Sequence, residues 1–394
     1  MKIHNRYNWR PLADDDAHVF FGYYDRCPWN ADNTKHLALR VDQCERVPRP
    51  GETADVGYVT REDDGFVKVA ETRAWCHQQG AMTLWLKHIP NAFIYNDYDP
   101  QTRRLVARIH SLNEEGPLGH YDRPVYAISP DGRWGVSLNF ARIPRRGYTY
   151  ADATLPEALH PDLDEDGIFL MDLHSGESRL LVTYRQIVDQ HPVPYELDDV
   201  YWWLNHAIFN ADSTRLLFLF RHRRAGHPDA GWKTHMYTVG IDGADPACPL
   251  PDFYWANGLI SHQIWGRHPH EILIDPNWRG QGHEYVVFDE RERPIRAMRL
   301  SRGMGPMAHL VFSTDGRRLL ADTYPVEGVQ SLALVDAATG ECRVIGRFRH
   351  EQPADSPKDV RCDLHPRWSA DGATVTVDSI HNGKRSIYML EPNA

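Results

Sequence analysis

The chain has 394 residues with 27 prolines, 28 glycines, 22 histidines and a formal net charge of −10. An acidic balance with no basic block sets a phosphate backbone against a repelling surface, which argues against nucleic-acid binding. No run approaches 18 apolar residues and the start, MKIHNRYNWRPLADDD, lacks a signal-peptide core, so the expectation is a cytoplasmic protein with no membrane partner. The six cysteines are scattered, without the spacing of a disulfide framework, and read as thiols of a reducing compartment.

In chain order, one pattern recurs: an apolar strand, a turn containing Asp, and a second apolar strand. It runs through VFFGYYDRCPWNADNTKHLALR from Val19, a degenerate copy MTLWLKHIPNAFIYND from Met82, and VYAISPDGRWGVSLNF from Val125. It returns as NHAIFNADSTRLLFLFRHR from Asn205, a second degenerate copy SHQIWGRHPHEILID from Ser261, AHLVFSTDGRRLLADTYP from Ala308 and HPRWSADGATVTVDS from His365. Asp-Gly between alternating apolar runs is a strong hairpin signal. Further strand pairs lie between the copies, such as GIFLMDLHSGESRLLVTY and SLALVDAATGECRVIGRF, giving about four strands per repeat.

The expected fold is therefore all-β: a seven-bladed β-propeller of four-stranded antiparallel blades in a single domain over residues 1–394. First strands are predicted to begin near residues 19, 83, 124, 206, 262, 309 and 365. The last repeat lacks an outer strand, and the segment from Ile3 to Trp9 is predicted to supply it and close the ring. Residues 144–166 break the rhythm and read as an inserted functional loop.

In a propeller, equivalent points of the inner strands converge on the axis. The residues there are His206, His262, His309 and His365, with Cys362 three residues before the last. Imidazole and thiolate together suit a borderline divalent metal, so His262, His309, Cys362 and His365 are predicted as a metal set, zinc first and manganese as the alternative. His262 has proton donation as its alternative role. The aromatic neighbours Tyr201, Trp202, Trp203, Phe253, Tyr254 and Trp255 read as blade packing or as glycan-stacking platforms.

The stretches HVFFGYYD, NHAIFNADSTRLLFLFRHR, AHLVFSTDGRRLLADTYP and RCDLHPRWSADG resemble the propeller-type polysaccharide lyases, the group containing oligogalacturonate lyases and propeller ulvan lyases. The resemblance implies metal ligands at His309 and at Cys362 with His365. The chain departs from that pattern in carrying Arg367 where a further His would stand, and Cys362 in place of a glutamine; thiolate favours zinc. The implied reaction is β-elimination on a uronic acid of an acidic oligosaccharide, which needs a cation at the carboxylate, a base for the C5 proton and an acid for the leaving oxygen. Arg221 is the candidate for the cation, as the resemblance places an arginine there and a guanidinium grips a carboxylate at two points. His206, His120 and Tyr148 are the candidates for base and acid, unordered, with Arg142, Arg145 and Arg146 as cations able to tune Tyr148. A non-catalytic propeller that binds a glycan or protein, or a relative with another reaction on an acidic saccharide, is the alternative. The two classes separate on whether these histidines share one pocket with Arg221.

Overall fold

The structure, a computed structural model, describes residues 7–63, 65–144, 147–153, 160–190, 196–227, 231–250, 258–278, 284–291, 296–299, 307–352 and 356–390. Its strands form seven antiparallel sheets that follow one another along the chain, the arrangement of a β-propeller. The first sheet contains His18–Phe20, Lys35–Val41, Ala54–Thr60 and Val67–Thr72. The second begins at Leu84–Trp85, the third at Ala127–Ile128, the fourth at Val200–Phe209, the fifth at Gly258–Trp265 and the sixth at Met307–Phe312. The predicted starts thus hold within a few residues, except that the fourth and fifth inner strands begin earlier than the histidines that marked them.

The seventh sheet has the order Arg10–Pro11, Ser386–Leu390, Val375–Ser379, Arg367–Trp368, so its outer strand comes from the other end of the chain. Arg10 pairs with Met389 and Pro11 with Tyr388, and the Leu12 amide donates to the Ile387 carbonyl. The pairing segment is therefore shifted from the expected Ile3–Trp9. Trp9 packs instead between sheets, its indole N–H donating to the Ile345 carbonyl at 3.0 Å and its ring meeting Phe348 edge-on; residues 1–6 lie outside the described residues. The fourth sheet has three strands rather than four among the described residues.

The recurrent turn has a physical cause. In Ser129-Pro-Asp131-Gly132, the Ser129 hydroxyl donates to the Asp131 carboxylate and accepts from the Trp134 amide, closing the hairpin from within. Ser313 with Asp315 and Ser369 with Asp371 repeat it, accepting from the amides of Arg318 and Thr374. The glycines that follow, Gly132, Gly316 and Gly372, take φ of +80°, +66° and +68°, the left-handed region that a Cβ disfavours. Apolar residues pack between adjacent sheets: Leu216, Phe218 and Phe220, on the second strand of the fourth sheet (Arg215–Arg224), are fully buried.

The 144–166 insertion separates the second and third strands of the third sheet, Trp134–Ser137 and Gly167–Asp172. Asp152 ties it back to Arg73 and to the Gly51 amide. Pro144 and Tyr148 line the main cleft.

Candidate functional site

Three residues before the end of each inner strand, or before Trp29 in the first sheet, stand Arg26, Met82, Val125, His206, His262, His309 and His365. The four histidines meet around one centre, against the rings of Tyr23 and Tyr24. Arg26 Nη1 reaches Met82 Sδ, the rings of His262 and His309 are 4.6 Å apart between centroids, and those of His309 and His365 are 4.2 Å apart. The local backbone explains why these side chains leave the sheet plane. Strand pairing slips between Asn205 and Ile208, between Ser261 and Ile264 and between Met307 and Leu310, so a bulge carries each histidine. His206, His262 and His365 have φ of +54°, +52° and +43°. A non-glycine residue held in that region is strained by about 1–3 kcal/mol, a cost that clusters at functional sites.

Tyr23 and Tyr24, from the end of the first inner segment, fill the middle. The Tyr23 hydroxyl stands 3.0 and 3.1 Å from the two ring nitrogens of His206, and the Tyr23 ring lies 5.1 Å from that of His365. The Tyr324 hydroxyl, just past the second strand of the sixth sheet, is hydrogen-bonded with His262 Nε2 at 3.2 Å. None of these three tyrosines was singled out in the sequence. The available signal was antiparallel pairing: Met307 faces Thr323, so the end of the second strand returns to the same point as His309.

The sharpest geometry belongs to His309 and His365. Asp322, fully buried, accepts from the His309 amide at 2.7 Å and from its Nδ1 at 3.0 Å, and its other oxygen accepts from the His365 amide at 3.0 Å. His365 Nδ1 donates to the Gly22 carbonyl at 2.6 Å. A carbonyl only accepts, so Nδ1 carries the proton, and Nε2 of each ring is left with its lone pair. These two Nε2 atoms face each other at 3.2 Å. A proton on one of them, or a cation shared by both, removes the repulsion. Two nitrogens bound tetrahedrally at about 2.0–2.1 Å from one ion would lie about 3.3 Å apart, so the spacing fits a divalent cation.

Asp363 completes a group of three with His309 and His365, their donor atoms all within 4.8 Å of one another. Both of its oxygens are also held by Arg361, at 2.6 and 2.8 Å, and the guanidinium holds the carboxyl below its usual range against the opposing effect of burial. Cys362, expected as a ligand, is not in this group. Its carbonyl accepts from Gln330, and burial pushes its thiol up to about 12, far from the thiolate form that binds metal. The softness argument for zinc falls with it; two imidazoles and a carboxylate suit manganese as well. Arg367, standing where the resemblance expected another histidine, is sealed in an ion pair with Asp378 at 2.7 Å.

Beside this group opens a cleft of about 500 Å³, lined by Tyr23, Tyr148, Asn205, His206, Arg221 and His262, with Trp203, Trp232, Tyr324, Lys358, Asp359 and Arg361 around them. His206, His262 and Arg221 therefore share one cavity, while His309 and His365 do not line it and pack against His262 and Tyr23, which do. Burial, reinforced by Arg221, keeps His206 well below its ordinary pKa, hence neutral. Burial and Asp363 push the Tyr148 phenol up to about 12, hence protonated. The Asn205 side-chain oxygen is buried at the cleft with no hydrogen-bond partner among the described residues.

His120 is not part of this cleft. It lies on the outer strand of the second sheet, Pro117–Tyr121, with its ring half exposed beside Asp122. Outer strands are the farthest from the axis, so a residue there cannot reach the converging histidines. Tyr201 and Trp202 are buried packing, and of the pair Trp202-Trp203 it is Trp203 that lines the cavity. Arg142 is likewise buried, its Nε donating to the Trp202 carbonyl. Arg145, Arg146, Phe253, Tyr254 and Trp255 lie outside the described residues.

Antiparallel sheets gathered on one axis, with a polar cleft where their inner strands converge, define this chain as a β-propeller protein. No family model matches it, and no curated protein does. Among solved structures it is similar to an oligogalacturonate lyase in complex with manganese, at 16% identity and a TM-score of 0.66 over 98% of this chain and 93% of that one. It is similar also to the oligogalacturonate lyase of Vibrio parahaemolyticus, at 14% identity and a TM-score of 0.65 over 98% and 94%. The β-propeller domain of the trilobed protease of Pyrococcus furiosus follows at 8% identity and 0.52 over 99% and 95%. At these identities the likeness is one of fold. Among the described residues no helix is long and apolar enough to cross a membrane.

Proposed function

We propose that the seven sheets are the blades of one closed ring in a single domain, and that the cleft at its axis cleaves a uronic-acid-containing oligosaccharide by metal-assisted β-elimination. The observation that carries this reading is the confrontation of the His309 and His365 Nε2 atoms at 3.2 Å, packed against His262 and Tyr23, which line a cleft together with Arg221. The fold shared with oligogalacturonate lyases supports it.

His309 and His365, with Asp363, would hold the cation, which when bound supplies a positive charge against the uronate carboxylate. Arg221 grips that carboxylate from the opposite wall and lowers the energy of the carbanion-like state at C5. The two proton-transfer roles are assigned by charge. His206 is neutral and accepts the C5 proton; Tyr148 is protonated and gives its proton to the departing oxygen on C4. Tyr23, against the His206 ring, fixes its orientation. The electron pair of the C5–H bond becomes the C4–C5 double bond as the C4–O bond breaks, and no water is consumed. Asn205 offers an acceptor to a sugar hydroxyl.

The test is incubation of the metal-loaded protein with a panel of uronic-acid oligosaccharides while following the ultraviolet absorbance of the unsaturated product. Absorbance growth that Arg221→Ala removes is the expected result. Silence across the panel, or glycosidic cleavage without unsaturation, overturns elimination.

A further inference from the structure

Asp363 sits between two demands. It is one of the three residues whose donor atoms converge within 4.8 Å, yet both of its oxygens are taken by Arg361. The Asp363 side chain is 2% exposed and that of Arg361 is 31% exposed, so the pair spans the boundary between the buried group and the open cleft. The Arg361 backbone is fixed, since Gln78 Nε2 donates to its carbonyl at 2.6 Å; its guanidinium lies over the Tyr324 ring at 4.4 Å, a flat surface along which it can shift.

From this arrangement we propose that Arg361 is a movable counter-ion that couples cation loading to capture of an anionic sugar. The proposal rests on the metal reading above. A guanidinium held on both oxygens of a carboxylate competes with a divalent cation for them, because the two positive charges would stand within a few ångströms and repel. Loading the cation draws Asp363 inward and expels the Arg361 guanidinium, which already has a face on the cleft, toward the space a sugar carboxylate would occupy. The cation thereby creates a second arginine contact beside Arg221, suited to two-point recognition of a carboxylate. Linkage requires the converse: an anionic sugar that draws Arg361 off Asp363 strengthens cation binding by the same factor.

The experiment is calorimetric titration of chelator-stripped protein with Mn²⁺, alone and with saturating galacturonate, a monomer that cannot undergo chain cleavage. Galacturonate is expected to tighten Mn²⁺ binding on the order of tenfold, and Mn²⁺ to tighten galacturonate binding equally. Arg361→Gln is expected to bind Mn²⁺ on the order of tenfold more tightly without sugar and to lose the coupling, since its Asp363 has no competing cation; this arm needs no sugar. Unchanged Mn²⁺ affinity in Arg361→Gln, with binding abolished in His309→Ala, overturns the coupling and leaves the metal reading standing. Absence of Mn²⁺ binding by the unaltered protein overturns both.

Discussion

His309 and His365 present their Nε2 lone pairs to each other at 3.2 Å, with both Nδ1 atoms committed to acceptors on the far side. The first expectation is stoichiometric divalent metal in purified protein, lost in His309→Ala and His365→Ala but retained in Cys362→Ser. Asp322→Asn, which weakens the acceptor behind His309, lowers affinity by about 10–100-fold. Elemental analysis and competition with a chelator read both. Metal lost in Cys362→Ser would restore the thiol as a ligand.

Gly22 has no room for a side chain. Its φ is +117°, and a Cβ would lie 2.7 Å from the backbone of Gln79 and Gly80. Its amide donates to Asp378 and its carbonyl orients His365. Gly22→Ala is expected to destabilise the protein by at least about 2 kcal/mol and to weaken metal binding, measured by denaturant midpoint and Mn²⁺ titration. An unchanged midpoint would show that the strand end gives way freely.

Two histidines remote from the cleft set a pH dependence. His36 is sealed between the Leu37 carbonyl and Thr376, and burial holds it well below its ordinary pKa; burial and the nearby Arg385 bring His77 down to about 3. Both are neutral in the folded chain, whereas in the unfolded chain each takes up a proton below about 6.5. The unfolded state therefore binds more protons, and stability falls as pH drops below 6.5, by up to about 1.4 kcal/mol per pH unit per histidine. Unfolding titrations between pH 7 and 5.5 measure the slope, which His77→Phe reduces. A flat profile would mean that these rings titrate normally in place.

Arg221→Ala is expected to lower kcat/KM on an unsaturation assay by about 10²–10³, with little recovery in Arg221→Lys because an ammonium lacks the two-point fork. Full activity in Arg221→Lys would reduce the arginine to a simple point charge.

Deleting residues 1–12 removes the Arg10–Pro11 strand and bares the edge of Ser386–Leu390. The expected outcome is a lower melting temperature and self-association through that edge, read by thermal unfolding and light scattering. A monodisperse variant with the same melting temperature would assign this strand no part in closing the sheet.

How far the sequence reached depended on which rule governed each residue. The hairpins were legible because Asp131-Gly132, Asp315-Gly316 and Asp371-Gly372 impose a turn locally, and the histidines were legible because each sits at a fixed offset from such a turn. Cys362 misled because a spacing of three implies a shared face only in regular structure. The chain from Arg361 to Pro366 is neither strand nor helix, and the positive φ at His365 turns its ring away from the thiol and toward Asp363. Tyr324 and Asp322 act through contacts between segments distant in sequence, with His262 and His365, which no local pattern encodes. His120 failed because its segment forms a fourth strand rather than a connection.

The pairing of Arg10 with Met389 also fixes an order of events during synthesis. The strand at Arg10 is made before its partner at Met389 and waits for it, and His365 and Asp363 are made only after the first six sheets. Six sheets can assemble while the chain is still being made, yet the His309 ring faces no His365 until the strands of the seventh sheet follow. A product truncated before residue 365 would keep the strands of the first six sheets and lose the facing of His309 and His365.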